Sequence, residues 1–206
     1  IIGGINKKSS LAASGLYNKI CRGKIFLTSS NSAEFVKLLE NTYRDINIAL
    51  SNEISMLGHE MNINVYDVIK MANLHPRVNI MNPGPGVGGH CIPVDPWFLC
   101  NENFKNNKII KLSRKINSNK TYWVKEQINR HINNYKKNNK KNPQIGILGI
   151  TYKPDCDDLR ESPSLEILRL IRHKKLFYHD PFHKKIEKFD YLNFNKIIKI
   201  SDILII

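Results

Sequence analysis

The chain is short of negative charge, of arginine and of cysteine, and it has no long apolar run. Its 206 residues carry 18 Asp plus Glu against 32 Lys plus Arg, a net +14. No uninterrupted apolar stretch approaches the roughly 18 residues that a membrane-spanning helix requires, so no membrane partner is expected. Four widely spaced cysteines, Cys21, Cys91, Cys100 and Cys156, form neither a disulfide framework nor paired zinc knuckles, and no metal site is expected. An initiator Met and a signal-peptide pattern are both absent from the start, Ile1-Ile2-Gly3-Gly4. The expectation is a cytoplasmic chain that has lost preceding residues or is an internal piece. What is present, 41% hydrophobic and 24% charged residues with clear apolar periodicities, excludes wholesale disorder and suffices for a packed core.

The positive charge invites a nucleic-acid reading, since Lys and Arg neutralise phosphates. Its make-up argues against one. Lysines outnumber arginines 24 to 8, and the shared AT-rich codons of Lys, Asn and Ile are a sufficient source of the basicity. The densest run, Tyr135 to Asn142, has no periodicity and no interleaved aromatics beyond Tyr135, and reads as a solvated linker. No nucleic-acid partner is expected.

The apolar spacing predicts a helix over 9–20 and a strand over 25–28. A long helix follows from Asn31, with Asn31 and Glu34 as a capping box, and ends or weakens at Gly58. A second helix starts behind Asn64. Residues 75–92 read as irregular, and helices resume near Pro93 and over about 109–135. After the Lys/Asn run, strands at 144–150, 176–180 and 202–206 alternate with a helix started by Ser162-Pro163. That β-α-β-α-β order predicts a parallel sheet with right-handed crossovers. The fold class is α/β with a central all-helical region and a C-terminal Rossmann-like sheet.

Three features carry chemistry. Gly84 to Gly89 spells G-x-G-x-x-G, but Met81-Asn82-Pro83 is no strand and Pro85 sits inside the motif. The dinucleotide fingerprint is therefore rejected in favour of a closely approaching loop that delivers His90 and Cys91. Cys91 precedes a helix expected to open at Pro93, where the macrodipole favours thiolate, and Asp95 four residues on lies on the same face. This suits a nucleophile; an inert buried cysteine is the alternative. Lys37, Asn41 and Arg44 share one face of the long helix at i, i+4 and i+7. The surrounding apolar residues predict that the stripe is buried between layers, where it needs an anionic or polyhydroxyl ligand.

These same residues resemble a known family. The run Ala33 to Asn47 is similar to the central helix of the UDP-glucose/GDP-mannose dehydrogenases. His75-Pro-Arg77-Val-Asn-Ile with Pro83 to Trp97 resembles their catalytic loop. Gly149 to Pro154 and Asp157 to Pro163 resemble the start of their UDP-binding domain. The forms around His75 and Asp95 are most like members that oxidise UDP-N-acetyl-D-mannosamine, ahead of those acting on UDP-N-acetylglucosamine or UDP-glucose.

The resemblance implies an order of parts: the end of an NAD-binding Rossmann domain over 1–30, a central helical dimerisation and catalytic domain over 31–134, a linker over 135–143, and the start of the UDP-binding domain over 144–206. It implies two successive NAD-dependent oxidations of a sugar C6 alcohol, first to the aldehyde and then to the carboxylate, serving surface polysaccharide synthesis. Cys91 would be the nucleophile, Lys37 the acid/base or oxyanion holder, Asn41 its neighbour, and Asp95 the group that orients the thiol and the hydrolytic water. Arg44, His75, Arg77, Gly88, Tyr152 and Lys153 would line the UDP-sugar site, Arg77 reaching across a homodimer, and Arg160 would meet the NAD phosphates. The alternatives are a sister UDP-sugar 6-dehydrogenase, or an inactive remnant that dimerises and binds UDP-sugar.

Overall fold

A computed structural model describes residues 1–102 and 104–206. A short parallel pair, β1 (Ile2–Gly4) and β2 (Leu27–Ser29), flanks α1 (Lys7–Tyr17). The helical region follows: α2 (Ser30–Glu60), α3 (Val65–Ala72), the single turn α4 (Asp95–Phe98) and α5 (Lys108–Asn139). Last come β3 (Ile145–Leu148), α6 (Pro163–Leu170), β4 (Leu176–His179), β5 (Asp190–Tyr191), α7 (Phe194–Ile200) and β6 (Ile203–Ile205). The four C-terminal strands form one parallel sheet in the order β5-β4-β3-β6. The expected parallel sheet is therefore present, α7 is the second helix of the expected β-α-β-α-β order, and β1 and β5 are elements the periodicity did not show.

Local chemistry explains most boundaries. Asn64 caps α3 by accepting from Tyr66 N at 3.1 Å. Ser162 caps α6 by accepting from Leu165 N at 3.2 Å, and its hydroxyl also donates to Ile150 O at 2.7 Å, tying the cap to the end of the sheet. The expected capping box at Asn31 does not form. Ser29, extended because it closes β2, accepts from Ser32 N at 3.2 Å and starts α2 two residues earlier. Gly58 does not end α2 either. A Cβ there would stand 2.9 Å from Val65 Cγ2, so the glycine is the point at which α3 crosses close to α2.

Two helices differ more from expectation. The stretch from Tyr135 remains helical through Asn139, and α5 stops only where Lys140 turns left-handed (φ 53°). The reason is packing. Ile128 and Ile132 of α5 are buried with Ile145, Ile147, Leu165, Leu168 and Tyr178 in the core of the sheet. Tyr135 Oη then donates to Asp202 Oδ1 at 2.6 Å. The N-terminal half of α5 packs instead on α2, so one helix serves both regions. The helix expected at Pro93 is only the one turn α4, which begins at Asp95. Among the described residues no helix is long and apolar enough to cross a membrane.

Candidate active site

Cys91 lies in the turn that leads into α4. Its carbonyl accepts from Val94 N at 3.0 Å and Asp95 N at 2.8 Å, which sets Asp95 at the first position of the helical turn. Asn41, buried on α2, donates through Nδ2 to Asp95 Oδ2 at 2.5 Å. One helix face and one turn are thereby locked together around the cysteine. The thiol is half-buried, with Sγ 2.9 Å from His90 Nδ1. A single turn has little macrodipole, so the surroundings of the thiol come from side chains rather than from the helix terminus expected at Pro93.

The C-terminal region closes on the same turn. Gly89 N donates to Arg160 O at 3.0 Å. The Arg160 guanidinium forks onto Asp158, with Nη2 2.7 Å from Oδ2 and Nε 3.0 Å from Oδ1. These bonds hold the Asp158 carboxyl down at about 2, with a smaller contribution from nearby His90, and push Arg160 upward. His90, Cys91, Tyr152, Asp158 and Arg160 therefore form one cluster where the helical region meets the sheet. Lys153 stands beside it, Nζ 5.5 Å from the Tyr152 ring.

At Gly86 and Gly88 the glycine run makes close approaches to protein. A Cβ on Gly88 would collide with Tyr152 Cβ and lie 2.8 Å from Glu161 O. One on Gly86 (φ 151°) would lie 2.6 Å from Thr121 Oγ1. Gly88, expected to approach a substrate, makes its close approach to Tyr152. For a nicotinamide dinucleotide, the candidate residues fit at one point, the exposed guanidinium of Arg160.

The expected burial of the stripe on α2 holds for one residue of three. Asn41 is buried, but the Lys37 side chain is 65% exposed and pairs with Glu40 Oε2 at 3.3 Å, and Arg44 is exposed. Along the axis Lys37 precedes Asn41 by four residues, about 6 Å. His75 and Arg77 lie in the turn after α3, both exposed, with Arg77 N donating to His75 Nδ1 at 3.3 Å. No hydrogen bond among the described residues joins them to the cysteine cluster.

Sequence reasoning missed the residues that support this site. Asn47 bridges to Asn79 O at 2.9 Å and Met81 N at 2.8 Å, and Asn73 clamps Ile80 through both its backbone groups. Asn52 accepts from Gly84 N at 2.9 Å and donates to Asn117 Oδ1 at 2.9 Å. Asn117 in turn donates to Asp45 Oδ1 at 2.8 Å, and Asp45 pairs with Arg114 at 2.5 Å, with all four of these side chains buried. The Arg114 guanidinium also lies over Trp97 of α4, 5.9 Å from its ring centre. A signal for this existed: Asn41, Asp45, Asn52 and Ser55 continue the polar face of Lys37 at helical spacing, down a helix that otherwise reads as apolar.

Lys120 on α5 is 4% exposed. Its Nζ donates to Ser55 Oγ at 2.6 Å and stands 4.0 Å from the centre of the Trp123 ring. Burial pushes this lysine down to about 8, against an ordinary 10.5. Below pH 8 both folded and unfolded chains hold the proton, and the folded state bears the full desolvation penalty. Between about 8 and 10.5 only the unfolded chain keeps it, so stability from this group rises with pH, by roughly 3 kcal/mol at most. Urea titrations at pH 7 and pH 10 should show that rise in the wild type relative to Lys120→Met, which should lack it.

A cysteine and a carboxylate on one turn, an amide of a long helix bound to that carboxylate, and a parallel sheet docked on the same loop meet at one junction. The family models for the UDP-glucose/GDP-mannose dehydrogenases match this chain twice, the central domain over residues 31–119 and the UDP-binding domain over 146–206. The chain belongs to that family of oxidoreductases. It is 50% identical over 176 residues to the UDP-N-acetyl-D-mannosamine dehydrogenase of Methanococcus vannielii, covering 85% of this chain and 40% of that protein. With the enzyme of the same name from Methanococcus aeolicus it is 45% identical over 206 residues, 99% of this chain and 46% of that protein. The solved UDP-D-ManNAc dehydrogenase of Pyrococcus horikoshii superposes with a TM-score of 0.80 at 36% identity, over 97% of this chain and 53% of that one. The chain thus spans about half the length of these relatives or less.

Proposed function

We propose that this segment is the catalytic core of an NAD-dependent UDP-sugar 6-dehydrogenase that converts UDP-N-acetyl-D-mannosamine to its uronate. The observation that carries the reading is the Asn41–Asp95 bond beside Cys91, on a loop tied through Gly89 to Arg160 of the matched UDP-binding domain. A nicotinamide cofactor, when bound, supplies the hydride acceptor, and Arg160 is the residue here that would meet its phosphates.

The chain's own residues do the rest. Lys37, one turn along α2 from Asn41, takes the proton of the C6 hydroxyl as hydride leaves the C6 carbon, and then steadies the aldehyde oxygen. The Cys91 thiol adds across the resulting aldehyde to give a thiohemiacetal; loss of hydride from that carbon leaves a thioester. Water held by Asp95 hydrolyses the thioester, releasing the carboxylate and restoring the thiol. Tyr152 and Lys153 hold the UDP portion, with Gly88 keeping the loop against Tyr152. Arg44, His75 and Arg77 complete the sugar site from the exposed side of α2 and from the turn after α3. Phe35, Leu39, Tyr43, Leu50 and Leu57 of α2 are exposed along one face, which supports a homodimer that brings a second copy's arm to this site. In this reading residues 1–30 close a nicotinamide-binding domain and 31–134 are the dimerisation core, and the enzyme is cytoplasmic and serves surface polysaccharide synthesis.

Alkylation of the thiols tests the proposal on the chain itself. UDP-N-acetyl-D-mannosamine should slow modification of Cys91 by iodoacetamide severalfold, while the exposed Cys21 reacts at an unchanged rate. Equal protection by UDP-glucose would favour a sister specificity. Unchanged Cys91 reactivity with every UDP-sugar would overturn the assignment.

A further inference from the structure

Away from the cysteine cluster, a cleft of about 450 Å³ opens between the end of α2, the start of α3, residues 83–85 and the middle of α5. Ser55 and His59 line it from α2, Asn64 from the cap of α3, Tyr66 from α3, and Lys120 and Trp123 from α5. We infer that this cleft binds a small carboxylate carried on an apolar body, with Lys120 as the group that receives the charge. The inference is independent of the proposed dehydrogenase activity, which uses none of these side chains.

The charge balance points to an anion. An ammonium group has three donors and no acceptor. The Ser55 hydroxyl takes one donor of Lys120, and the Trp123 face offers the ring's negative quadrupole. Neither carries a full negative charge, although the lysine is buried. The lining contains no Asp or Glu among the described residues, and the second group able to become positive there is His59, itself edge-on to Trp123 at 5.3 Å. Asp67, in the first turn of α3, is bonded to Asn64 Nδ2 at 2.8 Å and does not line the cleft. An entering carboxylate would meet an uncompensated cation in a partly dehydrated site, where the attraction is strongest.

The walls choose the rest of the ligand. Ile63 just ahead of α3, Val65 at its start, and Trp123 and Val124 of α5 give the cleft apolar lining. That lining suits a hydrocarbon or aromatic body better than the bare oxygens of a phosphate. The site is also preformed. Gly84 N is held by Asn52, and Pro85 O accepts from Thr121 Oγ1 at 2.9 Å, so the 83–85 wall needs no ordering when a ligand enters.

The probe is benzoate, with benzamide as its neutral isostere, titrated calorimetrically into the chain at pH 7 and constant ionic strength. Benzoate should bind saturably at one site per chain and benzamide at least tenfold more weakly. Lys120→Met should bind the two equally. A second measurement needs no variant. Benzoate should slow acetylation of Lys120 by acetic anhydride, read by peptide mass spectrometry, and leave the exposed Lys37 unaffected. Absence of saturation up to about 10 mM, equal binding of the two probes to the wild type, or unchanged Lys120 acetylation would each overturn the inference.

Discussion

Cys91→Ser is expected to lower carboxylate formation by about 10³-fold or more in a dehydrogenase that carries this segment with its nicotinamide domain, while leaving the first oxidation detectable. Serine preserves the size of the side chain and the backbone bonds from Val94 and Asp95 to the carbonyl of residue 91, so folding should be unaffected. What is lost is a sulfur nucleophile; a hydroxyl adds far less readily to the aldehyde, and the ester it would give is a poorer acyl donor than a thioester. Product analysis decides the matter. Aldehyde trapped with a hydrazine and little uronate is the expected outcome, and uronate formed at the wild-type rate would show that the nucleophile lies elsewhere. The companion change Asn41→Ala frees Asp95 from its α2 partner and should also slow the release of acid.

The largest loss of stability is expected for Arg114→Leu. Asp45 and Arg114 are buried together, and removing one member strands the other charge, which typically costs about 3–5 kcal/mol. That is a large part of the 5–15 kcal/mol by which a folded chain exceeds its unfolded state. Burial already raises the Asp45 carboxyl, and Arg114 is the largest opposing influence. Without Arg114 the carboxyl rises further, so the folded chain binds its proton more readily than the unfolded one. The variant's deficit should therefore shrink as pH falls and the folded state takes up that proton. Urea midpoints at pH 7 and pH 5, followed by far-UV circular dichroism, give the measurement. Adding Asp45→Asn should recover part of the loss, because the amide can stay bonded to Asn117 without a buried charge. A loss under 1 kcal/mol at pH 7 would show that water reaches the pair.

Where a signal was local, it was legible. Asn64 and Ser162-Pro163 mark helix starts because a cap needs only a side chain and the next turn. The strand at 145–148 shows as a short apolar run because a parallel strand covered on both faces has no polar side, and the strand at 176–179 shows through its run of Leu, Phe and Tyr. Cys91 and Asp95 could be paired on paper since four residues separate them. Errors arose where a distant partner settles the matter. Asn31 lost its cap to Ser29 because β2 pairs with β1, 25 residues earlier. The Lys/Asn run continued as helix because Ile128, Ile132 and Tyr135 are held by the sheet.

The sequence by itself determined the chemical inventory, namely a cysteine, a carboxylate and an amide in a recognisable order, together with the alternation of helix and strand. These follow from side-chain identity and from contacts within a few residues. Only the tertiary structure decided which polar residues of α2 are buried. It selected Asn41, Asp45 and Asn52 and left Lys37 and Arg44 in solvent. Only it showed that Gly88 and Gly86 abut Tyr152 and Thr121, and that Lys120 sits dehydrated beside Trp123. The physical reason is common to all three. Burial, desolvation and steric closeness depend on which surfaces from far apart in the chain meet, and no spacing along a single segment records that.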